Sequence, residues 1–190
     1  MPTWFKRLLC TAALLSSAIS SSQASMNDLH CLTQEFSGPD QNRAEYINAT
    51  SEAARVFRIP PAILVGIKLV ESGRGLNPYV TNNNNNGTTD RGYYQVNTEV
   101  WLPELRRIGL PIDQDQLHHV RNNALIAAWI YTRQLERVNN RLEAVGYYHK
   151  GGGTGAGSER IRSVYKEKFM EKIRYLTQLC GDVTQQLAAR

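Results

Sequence analysis

The sequence lacks the features that identify nucleic-acid binders and membrane proteins. Its 22 basic and 17 acidic side chains leave a net charge of +5, and no stretch concentrates lysine and arginine, so we expect no nucleic-acid partner. The longest apolar stretch, Leu8 to Ile19, is shorter than the roughly 20 residues that a membrane-spanning helix requires. Tandem repeats of the kind that build solenoid proteins are also missing. The chain is mildly basic, and this favours an anionic polymer such as cell wall over nucleic acid as its binding partner.

The same apolar stretch has the setting of an export signal. Lys6 and Arg7 precede it, and small residues ending at Ala24 follow it, which satisfies the three-part pattern of a cleaved signal peptide. We therefore expect residues 1–24 to be removed and residues 25–190 to form one domain in the periplasm, with no membrane anchor. A domain of that length can bury a substantial core.

Cysteine is scarce, with three residues in the chain. Cys10 falls inside the expected signal peptide, so its removal leaves Cys31 and Cys180 near the two ends of the mature chain. An exported protein meets an oxidising compartment, in which disulfides persist, and we expect these two residues to be bonded. The alternative is a pair of unpaired, buried thiols. Two cysteines so far apart in the chain make a zinc site implausible.

Hydrophobic periodicity predicts a mainly α-helical domain. Residues 41–57 repeat apolar side chains on one helical face, and Pro61 suits the first turn of a second helix that is apolar almost all round. Residues 120–135 are apolar on most faces, which indicates a central helix. Five consecutive asparagines within residues 81–89 favour turns. We therefore expect at most a small β-hairpin or an irregular loop near residues 80–97.

A last helix is expected after the glycine-rich residues 150–157, where Ser158 can cap its first turn. The glycine-rich residues themselves would form a surface turn or a mobile rim. The apolar side chains of the helix recur at helical spacing, so we expect all of them to face the core: Ile161, Val164, Tyr165, Phe169, Ile173 and Leu176.

Glu71 is the residue whose position suggests chemistry. It ends the second apolar helix, which Gly73 and Gly75 then stop. Helix carbonyl dipoles and poor solvation both disfavour a charged carboxylate at such a position, so we expect Glu71 to hold its proton near neutrality. A side chain of this kind can act as a general acid and afterwards as a base. The alternative is a solvated carboxylate at a frayed helix end.

Polar and aromatic residues follow Glu71 and suit a sugar ligand. Neutral hydrogen-bonding groups and aromatic faces with polar tips are the side chains that bind N-acetyl and hydroxyl groups. The polar set comprises Ser72, Asn77, Gln95 and Asn97, and the aromatic set comprises Tyr93, Tyr94 and Tyr148. With Glu71 these residues predict a carbohydrate cleft, although Tyr148 could equally be a core aromatic.

Four short motifs follow one another along the chain. They are Glu71-Ser72, Asn77-Pro78, Gly92-Tyr93-Tyr94-Gln95-Val96-Asn97, and Tyr148-His149-Lys150-Gly151. In order and spacing they resemble the lysozyme-like superfamily, and most closely the soluble lytic transglycosylases of family 1. Each motif is weak alone, but the combined resemblance extends over roughly residues 28–179. It implies a lysozyme-like single domain.

The resemblance also implies roles for individual residues. Glu71 would be the single catalytic acid and base, and Tyr148 would form a hydrogen bond with it. The sugar subsites would be lined by Ser72, Gln95 and Asn97. From its aromatic face and polar tip, we expect Tyr94 to bind the substrate as well.

Two positions depart from the family pattern. Tyr93-Tyr94 stands where the family has Leu-Met, and His149 stands where it has asparagine. The first departure predicts a bulkier cleft wall or a different saccharide register. His149 is expected to be a rim residue.

The activity that the resemblance implies is lytic cleavage of peptidoglycan. Enzymes of this family cut the β-1,4 bond between N-acetylmuramic acid and N-acetylglucosamine without water, leaving a 1,6-anhydro end. One carboxylate suffices for that route, and neither a metal nor a cofactor is needed. The resemblance includes the small transglycosylases of secretion, conjugation and pilus machines. We therefore expect glycan strands as substrate, local wall opening as the role, and components of such an apparatus as further partners.

Asp90 leaves a second mechanism open. Residues 87–92 also resemble the loop of chicken-type lysozymes that carries their second carboxylate. A second acid would permit hydrolysis by a retaining scheme, whereas a structural Asp90 would pair with Arg91 or fix the turn. A third alternative is a non-catalytic, wall-binding assembly factor that keeps the fold.

Overall fold

The computed structural model describes residues 29–181. The expected signal peptide and Cys10 lie outside the described residues. Within them the chain is mainly helical, as predicted, and a short helical segment at residues 29–32 comes first. The longer helices are α1 (Asp40–Phe57), α2 (Pro61–Glu71), α3 (Thr98–Arg107), α4 (Val120–Val138), α5 (Arg141–Lys150) and α6 (Ala156–Cys180), with a 3-10 turn at Asp115–His118.

A small antiparallel sheet lies between α2 and α3. Its strands are β1 (Thr81–Asn83), β2 (Thr89–Arg91) and β3 (Val96–Asn97), in the order β1-β2-β3. The asparagine-rich turn joins β1 to β2, and there Gly87 has a φ of 81°, which favours glycine. Asp90 in β2 pairs with Asn82 on one side and Asn97 on the other. The small β element expected near residues 80–97 is thus confirmed as three short strands.

Backbone constraints set the ends of α1 and α2. Arg58 follows α1 with left-handed backbone, at a φ of 54°. Pro61 then occupies the first turn of α2, where its missing N–H needs no partner. All of residues 62–69 are buried, so α2 runs through the core and carries Glu71 to its edge.

The core is built around α4, the central helix that the sequence predicts. This helix packs against α1 and α5, while α6 packs against α2 and α5. Ala124, Ala127 and Ala128 of α4 are all 0% exposed, and their small side chains let neighbouring helices approach closely. Helices α2 and α6 approach most closely at Gly66, where an added Cβ would lie 2.5 Å from Phe169 Cε2.

The expectation that every apolar residue of α6 faces inward is wrong for two of them. Ile161 is 41% exposed and Val164 is 43% exposed, whereas Phe169 is 0% exposed. The reason is the length of α2. Tyr165 already contacts Glu71, the last residue of α2, so the part of α6 before Tyr165 extends past the end of its neighbour.

The predicted disulfide between Cys31 and Cys180 is present. It joins the helical segment at residues 29–32 to the last residue of α6, across a sequence separation of 149 residues. Closing a loop of this length stabilises the fold by about 5 kcal/mol in the chain-entropy model. The alternative of two unpaired thiols is therefore wrong. No helix within residues 29–181 combines the length and apolarity needed to cross a membrane.

We expect Gly66→Ala to destabilise the fold. The new methyl group would overlap the Phe169 ring, and overpacking of this kind costs about 1–3 kcal/mol. Gly157→Ala is the matched control, because a Cβ there meets nothing within 4 Å and alanine favours helix. Urea denaturation should show a lower midpoint for Gly66→Ala alone. Equal midpoints for the two variants would contradict the close α2–α6 contact.

Candidate active site

A polar groove runs between the sheet and the ends of α2 and α5. Its volume is about 520 Å³. The asparagine-rich turn, β2, β3 and the first turns of α3 form one wall, and the ends of α2 and α5 form the other. Predicted site residues that line it are Glu71, Asp90, Gln95, Asn97, Tyr148 and His149.

Glu71 lies in the groove with a largely buried side chain. The side chain is 14% exposed, and its Oε1 accepts a hydrogen bond of 2.6 Å from the Tyr165 hydroxyl. Its Oε2 has no hydrogen-bond partner within residues 29–181. One carboxylate oxygen is therefore held from α6, and the other is left for a ligand.

Tyr165 is a site residue that sequence reasoning missed. The helical pattern predicts only that it faces inward, and no motif relates it to Glu71, which lies 94 residues earlier in the chain. Burial, and after it the Glu71 carboxylate, raises the pKa of the Tyr165 hydroxyl well above its ordinary value. The hydroxyl therefore keeps its proton and remains a donor to Glu71 whenever that carboxyl is charged.

Tyr148 does not make the hydrogen bond to Glu71 that the family resemblance implies. Its hydroxyl donates to the Tyr94 carbonyl oxygen at 2.8 Å, because α5 places the ring beneath the turn before β3. Tyr148 still lines the groove, at 8% exposed. Burial raises its pKa well above the ordinary value, and the Glu71 and Asp90 charges add to the effect. Both carboxylates thus lie near this one ring.

Asp90 is held by amide groups. Asn97 Nδ2 donates to Asp90 Oδ1 at 2.7 Å, and Asn84 Nδ2 donates to Asp90 Oδ2 at 2.9 Å. The alternative that Asp90 pairs with Arg91 is wrong, because Arg91 points to the other face and contacts His118 Nε2 at 2.9 Å. The alternative that Asp90 fixes the turn fits these contacts.

Gln95 and Asn97 reach the groove as predicted, but their amide nitrogens are already used. Gln95 has left-handed backbone, at a φ of 47°, and its Nε2 donates to the Gly92 carbonyl oxygen at 2.8 Å. Asn97 caps α3, since its Oδ1 accepts from the Val100 amide at 3.1 Å. The Gln95 side-chain oxygen has no partner within residues 29–181, so it can accept a hydrogen bond from a ligand.

Tyr94 is a core residue, and the prediction that it contacts sugar is wrong. It is 0% exposed, Tyr93 is 1% exposed, and the Tyr94 hydroxyl lies 3.0 Å from Thr50 Oγ1. The turn at Gly92 directs both rings under the sheet rather than into the groove. The expected bulkier cleft wall is therefore wrong as well, because the extra aromatic volume fills the core.

Ser72 and Asn77 do not line the groove either. Ser72 Oγ donates to the Tyr93 carbonyl oxygen at 2.7 Å, which ties the end of α2 to the segment before β3. Asn77 is exposed, and its Oδ1 accepts from the Tyr79 amide at 3.0 Å. Both residues shape the backbone around the site, and neither lines the groove.

His149 lies at the rim, and it also contacts the catalytic candidate. Its ring stacks on Tyr165, with centroids 4.4 Å apart and planes inclined by 7°. Its Nδ1 lies 3.7 Å from Glu71 Oε1, with the His149 side chain 45% exposed. The imidazole therefore covers the Tyr165–Glu71 hydrogen bond on the solvent side.

Lys68 holds the turn that follows Glu71. It is 0% exposed, and its Nζ donates to the carbonyl oxygens of Gly73 at 2.5 Å and Gly75 at 2.8 Å. The ammonium group also lies 4.5 Å from the centre of the Phe36 ring. It thereby satisfies carbonyl groups just beyond the end of α2 and fixes the turn that follows Glu71. Burial lowers the pKa of Lys68 to about 7.

No group of three or more His, Cys, Asp or Glu side chains that could hold a metal ion occurs within residues 29–181. The polar groups that line the groove are carboxyl, amide and hydroxyl groups together with the side chains of His149 and Lys150.

A largely buried acid at the end of a core helix, facing a polar groove beside a small sheet, defines a lysozyme-like enzyme of glycosidic-bond cleavage. Comparison with known families matches residues 48–172 to the transglycosylase SLT domain. The chain therefore belongs to the transglycosylase SLT family and is a peptidoglycan lytic transglycosylase, which acts outside the cytoplasm. Searches of curated proteins and of solved structures gave no match.

We expect Tyr165→Phe to lower activity on purified peptidoglycan about ten- to hundredfold. The substitution removes a hydrogen bond to a carboxylate, which contributes about 1.5–3 kcal/mol, while the ring stays packed. Tyr131→Phe is the matched control, because that buried hydroxyl bonds the Arg141 carbonyl oxygen at 3.4 Å, away from the groove. Equal turnover rates for the two variants would remove Tyr165 from the active site.

Lys68 predicts a pH dependence of stability. The pKa is about 7 in the folded protein against an ordinary 10.5, so the unfolded chain binds more protons between these values. The free energy of unfolding should therefore rise with pH across this window relative to Lys68→Met, which lacks the group. Chemical denaturation at several pH values measures the difference. Lys172→Met, on the surface of α6, is the control and should show the same slope of unfolding free energy against pH as the wild-type protein. If Lys68→Met also shows the wild-type slope, the burial effect is contradicted.

Proposed function

We propose that Glu71 is the single acid and base with which this enzyme cuts the β-1,4 bond between N-acetylmuramic acid and N-acetylglucosamine. The observation that supports this assignment most is the unequal use of its two oxygens. Tyr165 holds Oε1 at 2.6 Å, while Oε2 has no partner within residues 29–181. A proton on Oε2 would be directed at the groove, where the bridging oxygen of a bound strand would lie.

The proposed reaction needs no second protein acid. Glu71 protonates the bridging oxygen as the bond from C1 of the muramic residue breaks, and the N-acetyl oxygen of the substrate shields the developing cation. The 6-hydroxyl group then attacks C1, and the Glu71 carboxylate takes its proton. The products are a free 4-hydroxyl on glucosamine and a 1,6-anhydro muramic end, and Glu71 is again protonated.

Tyr165 would act at the midpoint of this cycle. The Glu71 carboxylate exists only between the two proton transfers, and the Tyr165 hydroxyl donates to it during that interval. Because the raised pKa keeps this hydroxyl protonated, the stabilisation is available without rearrangement.

Asp90 is the residue on which a hydrolytic alternative depends. It lines the same groove as Glu71 and could stabilise the cation or attack it. Both of its oxygens already accept amide hydrogen bonds from Asn84 and Asn97, so it organises the turn and β3. We therefore propose a supporting role for Asp90 and a transglycosylase outcome.

The proposal extends to location and cellular role. Residues 1–24 would direct export and be removed, which places the enzyme in the periplasm with access to the glycan. Resemblance to the small transglycosylases of secretion, conjugation and pilus machines supports local wall opening for an envelope-spanning apparatus.

The test is mass spectrometry of muropeptides after digestion of purified peptidoglycan. We expect anhydro ends from wild type and an approximately thousandfold lower rate from Glu71→Gln, since general acid–base catalysis contributes about 10²–10⁴. Glu136→Gln, an exposed change on α4, is the matched control and should behave as wild type.

Asp90→Asn separates the two mechanisms. Retained anhydro ends at a modestly lower rate would agree with transglycosylation by Glu71. Reducing ends from the wild-type protein, lost in Asp90→Asn, would establish the hydrolytic alternative. Full activity of Glu71→Gln would overturn the assignment of the acid.

A further inference from the structure

The exposed part of α6 forms a second pocket beside the groove. This side pocket has a volume of about 290 Å³ and is lined by Val70, Glu71, His149, Arg160, Ile161, Val164, Tyr165 and Lys168. It shares Glu71, His149 and Ile161 with the groove. The two cavities are therefore neighbours, and a branched ligand in the groove could extend into the side pocket.

The apolar floor of the side pocket is unusual for a helix surface. Ile161 and Val164 are 41% and 43% exposed, although their spacing with Tyr165 follows a buried helical face. They give the side pocket an exposed aliphatic surface.

Two cations of α6, Arg160 and Lys168, line the side pocket. Arg160, Val164 and Lys168 lie one helical turn apart from each other in sequence, and neither cation has a hydrogen bond or ion pair within residues 29–181. Other cations of α6 do have partners: Lys166 lies 2.6 Å from Glu143, and Lys172 lies 2.8 Å from Glu171. The side pocket therefore presents two unpaired positive charges on either side of an aliphatic surface.

We propose that the side pocket binds the stem peptide of the muramic residue at the cleavage point. This inference rests on the proposed function. The stem is a short peptide that leaves the glycan through the lactyl group, and it carries free carboxylates and small aliphatic side chains. Its charge complements Arg160 and Lys168, and its methyl groups complement Ile161 and Val164. The stem is attached to the sugar on which Glu71 acts, and the side pocket meets the groove at Glu71.

Another glycan strand or a protein partner fits these observations less well. A sugar needs neutral hydrogen-bonding groups, which the lining of the side pocket contains only in His149 and Tyr165. A pocket that opens directly at the catalytic acid is also better placed for part of the substrate than for a separate protein.

The experiment compares two substrates. One is stem-bearing glycan strands, and the other is the same strands after an amidase has removed the peptides. The measured quantity is the ratio of kcat/KM for stem-bearing over naked strands. We expect wild type to favour the stem-bearing strands, and we expect Arg160→Gln with Lys168→Gln to lower the ratio about fivefold, as for two partly solvated ion pairs.

Two further measurements separate binding from loss of structure. Salt at about 1 M should lower the wild-type ratio as the double substitution does, because it screens exposed charges. Val164→Gln keeps both charges, so it should lower the ratio while leaving its salt dependence in place. Arg55→Gln with Arg174→Gln removes the same charge from exposed helical positions elsewhere and should keep the wild-type ratio.

Equal cleavage of the two substrates by wild type, or a wild-type ratio in the Arg160→Gln, Lys168→Gln variant, would overturn the proposal. A variant with an unchanged ratio that fails only in cells would assign the surface to a protein partner and would equally overturn it. Reducing ends in the products, with the ratio still lowered in the variant, would contradict transglycosylation and leave the stem site standing.

Discussion

The hydrogen bond from Tyr165 to Glu71 is the interaction on which the site depends, and it exists because two helices pass each other closely. Gly66 of α2 faces Phe169 of α6, and Glu71 faces Tyr165. Glu71 lies five residues after Gly66 in α2, and Tyr165 lies four residues before Phe169 in α6. The two helices therefore run antiparallel. A side chain at position 66 would push α6 away and would lengthen the contact at Glu71. The glycine in the core and the acid at the edge are therefore parts of one arrangement.

The turn that follows Glu71 carries carbonyl groups that need hydrogen-bond partners. Here the partner is a buried lysine. Lys68 reaches past the end of α2 to the Gly73 and Gly75 carbonyl oxygens, and Ser72 bonds the Tyr93 carbonyl oxygen. Burial of an amine is costly, which its lowered pKa reflects. The cost is offset by two carbonyl acceptors and by the ring faces of Phe36, Tyr46 and Tyr93, and these contacts hold the turn immediately after Glu71.

Helical periodicity and short motifs predict most of the fold and part of the site. The buried helix before Glu71, the central helix and the turn-rich strands follow from local patterns, and Gln95 and Asn97 reach the groove as their motif implies. The predictions that failed all concern the direction in which a side chain points. A positive φ at Gly92 and at Gln95 turns Tyr93 and Tyr94 into the core. Whether Tyr148 or Tyr165 reaches Glu71 depends on how α5 and α6 sit against α2, and no local pattern specifies that placement. Ile161 and Val164 have core spacing, but α2 is too short to cover them.

The two carboxylates of the groove differ in the number of hydrogen-bond donors around them. Asp90 has an amide donor on each oxygen. Glu71 has one donor, a tyrosine whose own pKa is raised by burial and by that carboxylate, and its second oxygen is open to the groove. A general acid that loses and regains its proton must be able to exist in its neutral form. Its charged form must also be stabilised while it exists. The Tyr165 contact leaves the second Glu71 oxygen free, whereas the two amide contacts of Asp90 occupy both of its oxygens. The number of donors around each carboxylate is therefore the feature on which the proposed difference in role between Glu71 and Asp90 rests.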